Sequence, residues 1–257
     1  MLALVFALQV AAAAAVPKVS TAAVPKASTA AVPKASTSGV PKASTSAVPK
    51  ASSDLTTYVR DTPRCSATAT HCFGIHLHMV VTADGPAQDV AWVRAQVEQA
   101  HRHFALIDTS FEVIAADVVP AGELEVDTRE QRDALGHARF TRGVVHVFVV
   151  GRLADVDIAG NEIRGVHWRE RGDRTHRWVI LSKIAGSLVL SHELGHFFGL
   201  PHSEFDISLM NKTVRLTPLV SELTFAEPEV IIMRKHRDRM LASMLLLPRP
   251  TPATPRG

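Results

Sequence analysis

The stretch Ser191-His192-Glu193-Leu194-Gly195-His196-Phe197-Phe198-Gly199-Leu200-Pro201-His202 restricts what this chain can fold into more than any other. It contains H-E-x-x-H-x-x-G-x-x-H, and each fixed position has its own mechanical reason. Residues four apart share one face of a helix, so His192 and His196 can present two imidazoles to one metal ion. Glu193, one step round, can reach a water on that metal without being a ligand. Gly199 lets the chain leave the helix through a left-handed conformation that a Cβ makes costly. The resulting turn brings back His202 as a third nitrogen. Three protein ligands and one open position describe a catalytic zinc site, whereas a structural site is closed by four. Alone, H-E-x-x-H could be a charged, solvated helix face. Here Leu188, Val189, Leu190, Leu194, Phe197 and Phe198 make the helix a buried one, where two histidines and a glutamate need partners.

Eight residues past His202 comes Met210, in Ser208-Leu209-Met210-Asn211. The long histidine motif followed at this distance by a methionine resembles the metzincin zinc peptidases, whose methionine turn lies beneath the metal. The spacing, and Ser203 directly after the third histidine, are similar to the matrixin branch. The resemblance implies an α+β, zincin-like domain: a mixed, mostly parallel twisted sheet with a long helix and the active-site helix packed on it. It also implies hydrolysis of peptide bonds at one catalytic Zn2+, with His192, His196 and His202 as ligands and Glu193 as general base.

The first fifth of the chain is of another kind. Residues 2–16 are apolar and end in small residues, as in the hydrophobic part of a secretory signal cleaved near Ala15, although no Lys or Arg precedes Lys18. They are too few to cross a membrane, which takes about 20 apolar residues. Val-Pro-Lys then recurs at 16, 24, 32, 40 and 48. This eight-residue unit carries too little apolar surface to bury a core, so 16–57 is expected to be a disordered, Lys-bearing linker. The expected organisation is a signal segment 1–15, that linker, a catalytic domain 58–247 and a disordered Pro-rich tail 248–257. Residues 1–53 hold five Lys and no acid, so a net charge of +3 leaves −2 for residues 54–257. The basic balance belongs to the linker, which could associate with an anionic envelope; no nucleic-acid partner is indicated. A monomer that is secreted, extracellular or periplasmic, is expected.

Two cysteines, Cys65 and Cys72, stand at the start of the foldable part. In an exported chain such a pair most simply forms a local disulfide. Pro63-Arg64-Cys65 also resembles the start of the matrixin cysteine switch, in which a thiolate takes the fourth zinc position. Ser66-Ala67-Thr68 departs from that pattern, and little chain separates Cys65 from the first strand. The disulfide is the favoured reading.

Phe73–Val81 alternates and should be a strand. His76 and His78 share one of its faces and could be ligands, though satisfied or exposed histidines are the plainer account. Val90, Val93, Val97, Ala100, Phe104 and Ile107 form a helical stripe over 89–107. His101 and His103, two apart, receive no metal role. Further strands are expected at 111–119, 144–150 (central and buried on both faces), 165–168 and 177–182, with a loop and a short helix near 129–135 between them. The zinc helix should span 184–198, and a closing helix 228–246.

Family members hold further structural zinc and calcium. His167, His176, Asp155 and Asp157 are the only remnants of such sites, and none is predicted. The only tyrosine, Tyr58, stands ahead of the first strand and Asn211 follows Met210, so the tyrosine-assisted variant of the chemistry is not expected. By resemblance, a substrate strand would lie along the sheet edge, with Thr217-Pro218-Leu219 walling the pocket. The rivals are a hydrolase of cell-wall peptides and an inactive, secreted zinc-binding module.

Overall fold

The computed structural model describes residues 55–212 and 218–250. The signal segment and almost all of the repeat linker lie outside them, as does Thr217. In chain order the elements are α1 (Leu55–Arg60), β1 (His71–Thr82), β2 (Gly85–Pro86), α2 (Val90–Phe104), β3 (Thr109–Val119), β4 (Glu125–Val126), α3 (Arg129–His137), β5 (Val145–Val150), β6 (Arg152–Leu153), β7 (Gly165–Arg169), β8 (Arg177–Ser182), α4 (Val189–Phe197), α5 (Glu227–Ala242) and β9 (Pro248–Arg249).

The main sheet is mixed and mostly parallel. β3, β1, β5 and β8 run parallel side by side, and β7 closes the row antiparallel to β8. Strand alternation sends Ile75, Leu77, Met79, Val145, Val147 and Val149 into one core, shared with α2 and α4. The opposite face carries Val80, Phe148, Val150, Trp178 and Ile180 against Leu135 of α3. All six residues of β5 are buried, as a central strand covered on both faces requires.

Local chemistry explains the helix ends. Asp89 caps α2, its Oδ1 accepting from the Trp92 N–H at 2.8 Å. Thr128 and Gln131 form a capping box that starts α3 in a segment with little apolar periodicity. The zinc helix was expected from 184, yet α4 starts at Val189 without a capping side chain of its own. Its first turn is served from α2, where Gln96 accepts from the Leu190 N–H at 3.0 Å and donates to Gly186 O at 2.9 Å. A cap from another helix leaves no local signature.

Three expectations at the chain ends are corrected. Helix α1 begins three residues before the expected boundary at 58, and its Leu55 and Tyr58 are buried in the core. The closing helix stops at Ala242 rather than 246, because Met244 takes a positive φ of 55° and Leu245 and Leu246 turn back into the core. Residues 248–249 are not the beginning of a disordered tail. They pair antiparallel with Cys72 and Phe73 of β1, and Arg249 Nε meets Glu112 Oε1 at 2.8 Å. Residues 251–257 lie outside the described set. Cys65 and Cys72 are joined in a disulfide, so neither is the free thiol that a cysteine switch needs.

Candidate metal centre and active site

Helix α4 presents His192 and His196 on one face, and the turn after it returns His202. Gly199 makes that turn at φ +95°, and the chain leaves through paired bonds, Gly199 N–H to His196 O and Leu200 N–H to Gly195 O, both 3.0 Å. Glycine is needed here twice over, since a Cβ would also stand 2.5 Å from the His236 ring. The three rings gather with centroids 4.8, 5.6 and 4.7 Å apart (192–196, 192–202, 196–202). One ligand nitrogen from each lies within 4.8 Å of the others.

Backbone carbonyls orient two of these rings. His192 Nδ1 donates to Leu209 O at 2.8 Å, and His196 Nδ1 donates to Leu200 O at 2.7 Å. With Nδ1 protonated, each ring keeps Nε2 as a bare lone pair, the arrangement metal-binding imidazoles need. Burial lowers the pKa of all three, His196 to about 4, which keeps them neutral. Three neutral nitrogens with a fourth side open to a cleft fit a catalytic zinc ion.

Glu193 is buried on the same cleft, between α4 and the edge strand β7. Burial pushes its carboxyl up to about 8, against which the His167 backbone N–H and then the charge of Arg132 favour the ionised form. Gly165 of β7 makes this approach feasible, since a Cβ there would stand 3.0 Å from Glu193 Cγ and 2.7 Å from Val189 Cγ1. Beneath the helix Met210 is fully buried. Its turn is fixed by Ser208, whose Oγ accepts from the Met210 N–H at 2.9 Å and bonds Glu229 of α5 at 2.8 Å.

The expected site residues His192, Glu193, His196 and His202 line one cleft, with Gly199 at the helix end and Met210 below. Sequence reasoning missed Gly165, the carbonyls of Leu200 and Leu209, and Arg132. Arg132 lines the cleft with its guanidinium 5.0 Å from the Trp168 ring and Nη2 on Ala154 O at 2.6 Å. Leu200 and Leu209 occupy variable positions of the histidine motif and the methionine turn, while Gly165 and Arg132 belong to neither and carry no signal of their own. The four remnants do not assemble. His176 Nδ1 bonds Glu170 at 2.8 Å, Asp157 pairs with Arg129, Asp155 accepts from the Asp157 N–H, and His167 packs 5.5 Å from the Phe197 ring. Tyr58 donates to Gln88 O at 2.5 Å, and among the described residues Tyr58 does not line the cleft.

Among solved structures, the chain is similar to metalloproteinase-II from Bacteroides fragilis, with a TM-score of 0.47 and 13% identity over 71% of this chain. It spans 60% of that protein's length. It is also similar to archaemetzincin from Methanopyrus kandleri, with a TM-score of 0.44 and 14% identity over 65% of this chain and 96% of the other. A third is a zinc-dependent peptidase from Methanocorpusculum labreanum, with a TM-score of 0.39 and 16% identity over 62% and 100%. No curated protein matches the sequence. The matrixin model matches residues 90–225, more than half of the chain, from α2 through α4 and the methionine turn to Phe225. The chain belongs to the matrixin family of zinc metallopeptidases.

Proposed function

We propose that this chain is an exported zinc-dependent endopeptidase in which His192, His196 and His202 hold one zinc ion and Glu193 is the general base. The observation that carries the reading is the buried Glu193 carboxylate beside three neutral imidazoles on one cleft. Bound there, zinc would supply a Lewis acid that brings the pKa of water towards about 7 and polarises a scissile carbonyl. A nearby cation also favours the ionised carboxylate, offsetting the burial that raises its pKa. Glu193 takes the proton from the attacking water and delivers it to the leaving amine. The His167 N–H holds the carboxylate in place for both transfers. The substrate would lie extended along the outer edge of β7, adding a strand to the sheet. Pro218 to Leu223 would wall the cleft, where Leu219 and Val220 expose their side chains. Export is supported by the apolar segment 2–16 and by the disulfide.

The test pairs zinc content with cleavage of casein or mixed peptides, in the full chain and its Glu193→Ala variant. Zinc in both proteins and chelator-sensitive cleavage in the parent alone would sustain the reading. Zinc without cleavage in the parent would favour the non-proteolytic binding module. Turnover of cell-wall peptides but not casein would favour the other rival.

A further inference from the structure

On the face of the sheet turned away from α4, three histidines from two strands form a second cluster. His76 and His78 are two apart on β1 and share that face, and the strand pairing sets His146 of β5 beside His76. Their ring centroids are 4.2, 5.4 and 5.2 Å apart (76–78, 76–146, 78–146), close to the spacings of the cleft histidines. One nitrogen from each lies within 4.8 Å of the others, the same tolerance that the cleft triad meets. A tetrahedral zinc with bonds of 2.0–2.1 Å needs nitrogens about 3.3 Å apart. His78 Nε2 and His146 Nδ1 are already 2.9 Å apart.

We propose that His76, His78 and His146 are a second transition-metal site, of the zinc class, with Asp117 supporting it from β3. Four observations carry this. The first is the surroundings of the cluster. The outward Nε2 of His146 faces Thr141, 2.9 Å from its N–H and 3.1 Å from its O. The tautomer protonated at Nε2 donates to that carbonyl and frees Nδ1 for a metal, while Nε2 of His76 lies 2.5 Å from Asp117 Oδ2. Carbonyl and carboxylate partners on the far nitrogen are what orient metal-binding imidazoles.

The second is a bulge. The β1–β3 register slips between Ile75 and His76, from Ile75 opposite Val113 to His76 opposite Ala115. Without the slip Ala116 would stand opposite His78; with it Asp117 does. Bulges re-aim side chains in this way, and here the slip sets Asp117 opposite His78 with its Oδ2 on His76.

The third is the pairing of two buried rings. His78 and His146 are fully buried, His78 stacks 4.4 Å from Phe148, and His78 Nε2 and His146 Nδ1 share one proton between them. A metal ion held by both nitrogens takes that proton's place. The fourth is access. His76 is only partly buried and Asp117 is exposed, so an ion has a way in. The rings tilt 15 to 36° from one another, so convergence on one ion takes rotation about χ2, a soft torsion for histidine. These residues are not the four remnants considered from the sequence, of which His167 is on β7 and the other three lie outside the strands.

The experiment measures zinc per chain by mass spectrometry of the full-length protein, dialysed against zinc and freed of excess. The parent is compared with His76→Ala, with Asp117→Asn and with the double variant His192→Ala/His196→Ala. The result expected is about two ions in the parent and about one in His76→Ala and in the double variant. Zinc should also still raise the Tm of the double variant, and adding His76→Ala should abolish that rise. Asp117→Asn should weaken this second ion by about 10- to 100-fold, the range for outer partners of metal-bound histidines. One ion in the parent that vanishes in the double variant would overturn the inference. So would two ions that both survive His76→Ala. A single ion that survives the double variant but not His76→Ala would sustain it and sink the catalytic reading, so the two can fail separately.

Discussion

Met210 packs under the zinc helix so closely that a Cβ at Gly195 would stand 2.4 Å from its Sδ. The sulfur cannot easily retreat, since Met210 is fully buried and the Phe225 ring would be 3.1 Å from the same Cβ. Gly195→Ala should therefore lower stability by about 1–3 kcal/mol through overpacking. In a domain of this size that is a drop of several degrees, at about 2–4 °C per kcal/mol. Thermal denaturation monitored by circular dichroism checks it, and an unchanged Tm would show that the helix and the methionine turn are not in hard contact.

The fold and the site were legible in the sequence to different depths. The histidine motif prescribed its own geometry, because i, i+4 spacing and a left-handed glycine are local requirements that residue types state directly. Alternation placed β1, and a near-continuous apolar run placed β5. What was hidden depends on contacts between distant segments. Gln96 serves the start of α4 from α2, ninety-four residues before its partner Leu190. Arg249 finds Glu112 across the sheet, which turns a Pro-rich stretch into a strand. Gly165 gave no signal, because its role is to make room for Glu193. His146 was read only as part of an apolar run, and parallel pairing alone puts it beside His76.

Gly165 yields the next expectation. A methyl group there would press on Val189 Cγ1 at 2.7 Å and on Glu193 Oε1 at 3.1 Å. The imidazoles point elsewhere, so the zinc content of Gly165→Ala should equal that of the parent. The carboxylate should be displaced, and a small misplacement of a catalytic group costs up to about 100-fold. We expect kcat to fall by about 10- to 100-fold at full zinc occupancy, read from peptide hydrolysis beside metal analysis. Loss of zinc together with activity would instead mean that β7 supports the whole site.

The metal-free protein should lose stability on acidification. His103 and His167 are held below the ordinary histidine pKa, in each case first by burial. Arg102 adds to this at His103, where the carbonyls of Gln99 and Leu223 oppose it, and Arg169, Arg177 and His196 add to it at His167. Unfolding therefore takes up protons once the pH falls below about 6.5, and stability present above that value drains away beneath it. Glu193 acts in the opposite sense, since a carboxyl raised to about 8 contributes stability at low pH that is lost as the pH climbs through 8. One glutamate opposes several histidines, so the Tm of chelated protein should fall from pH 7 to pH 5. Glu193→Gln should make the fall steeper. A flat profile would mean that these imidazoles accept protons without leaving the fold.

The last expectation concerns the ion pair that ties β9 to β3 beside the disulfide. Glu112 is buried, and its Oε1 meets Arg249 Nε at 2.8 Å, while Arg64 is the more distant cation at 4.0 Å. Removing the guanidinium leaves a buried carboxylate short of its nearer charge, which costs about 1–3 kcal/mol for a hydrogen bond to a charged group. Arg249 is itself 42% exposed, so solvent screens part of that, and the lower half of the range is expected. Glu112→Gln should cost less than Arg249→Met, because it removes the buried charge along with its need for a partner. Urea unfolding of the three proteins decides the matter, provided the slopes are equal. Equal stability throughout would mean that β9 is held by its two-residue ladder with β1 alone. A larger loss in Glu112→Gln would mean that the carboxylate matters chiefly through the Cys65 N–H, which donates to Oε2 at 3.5 Å.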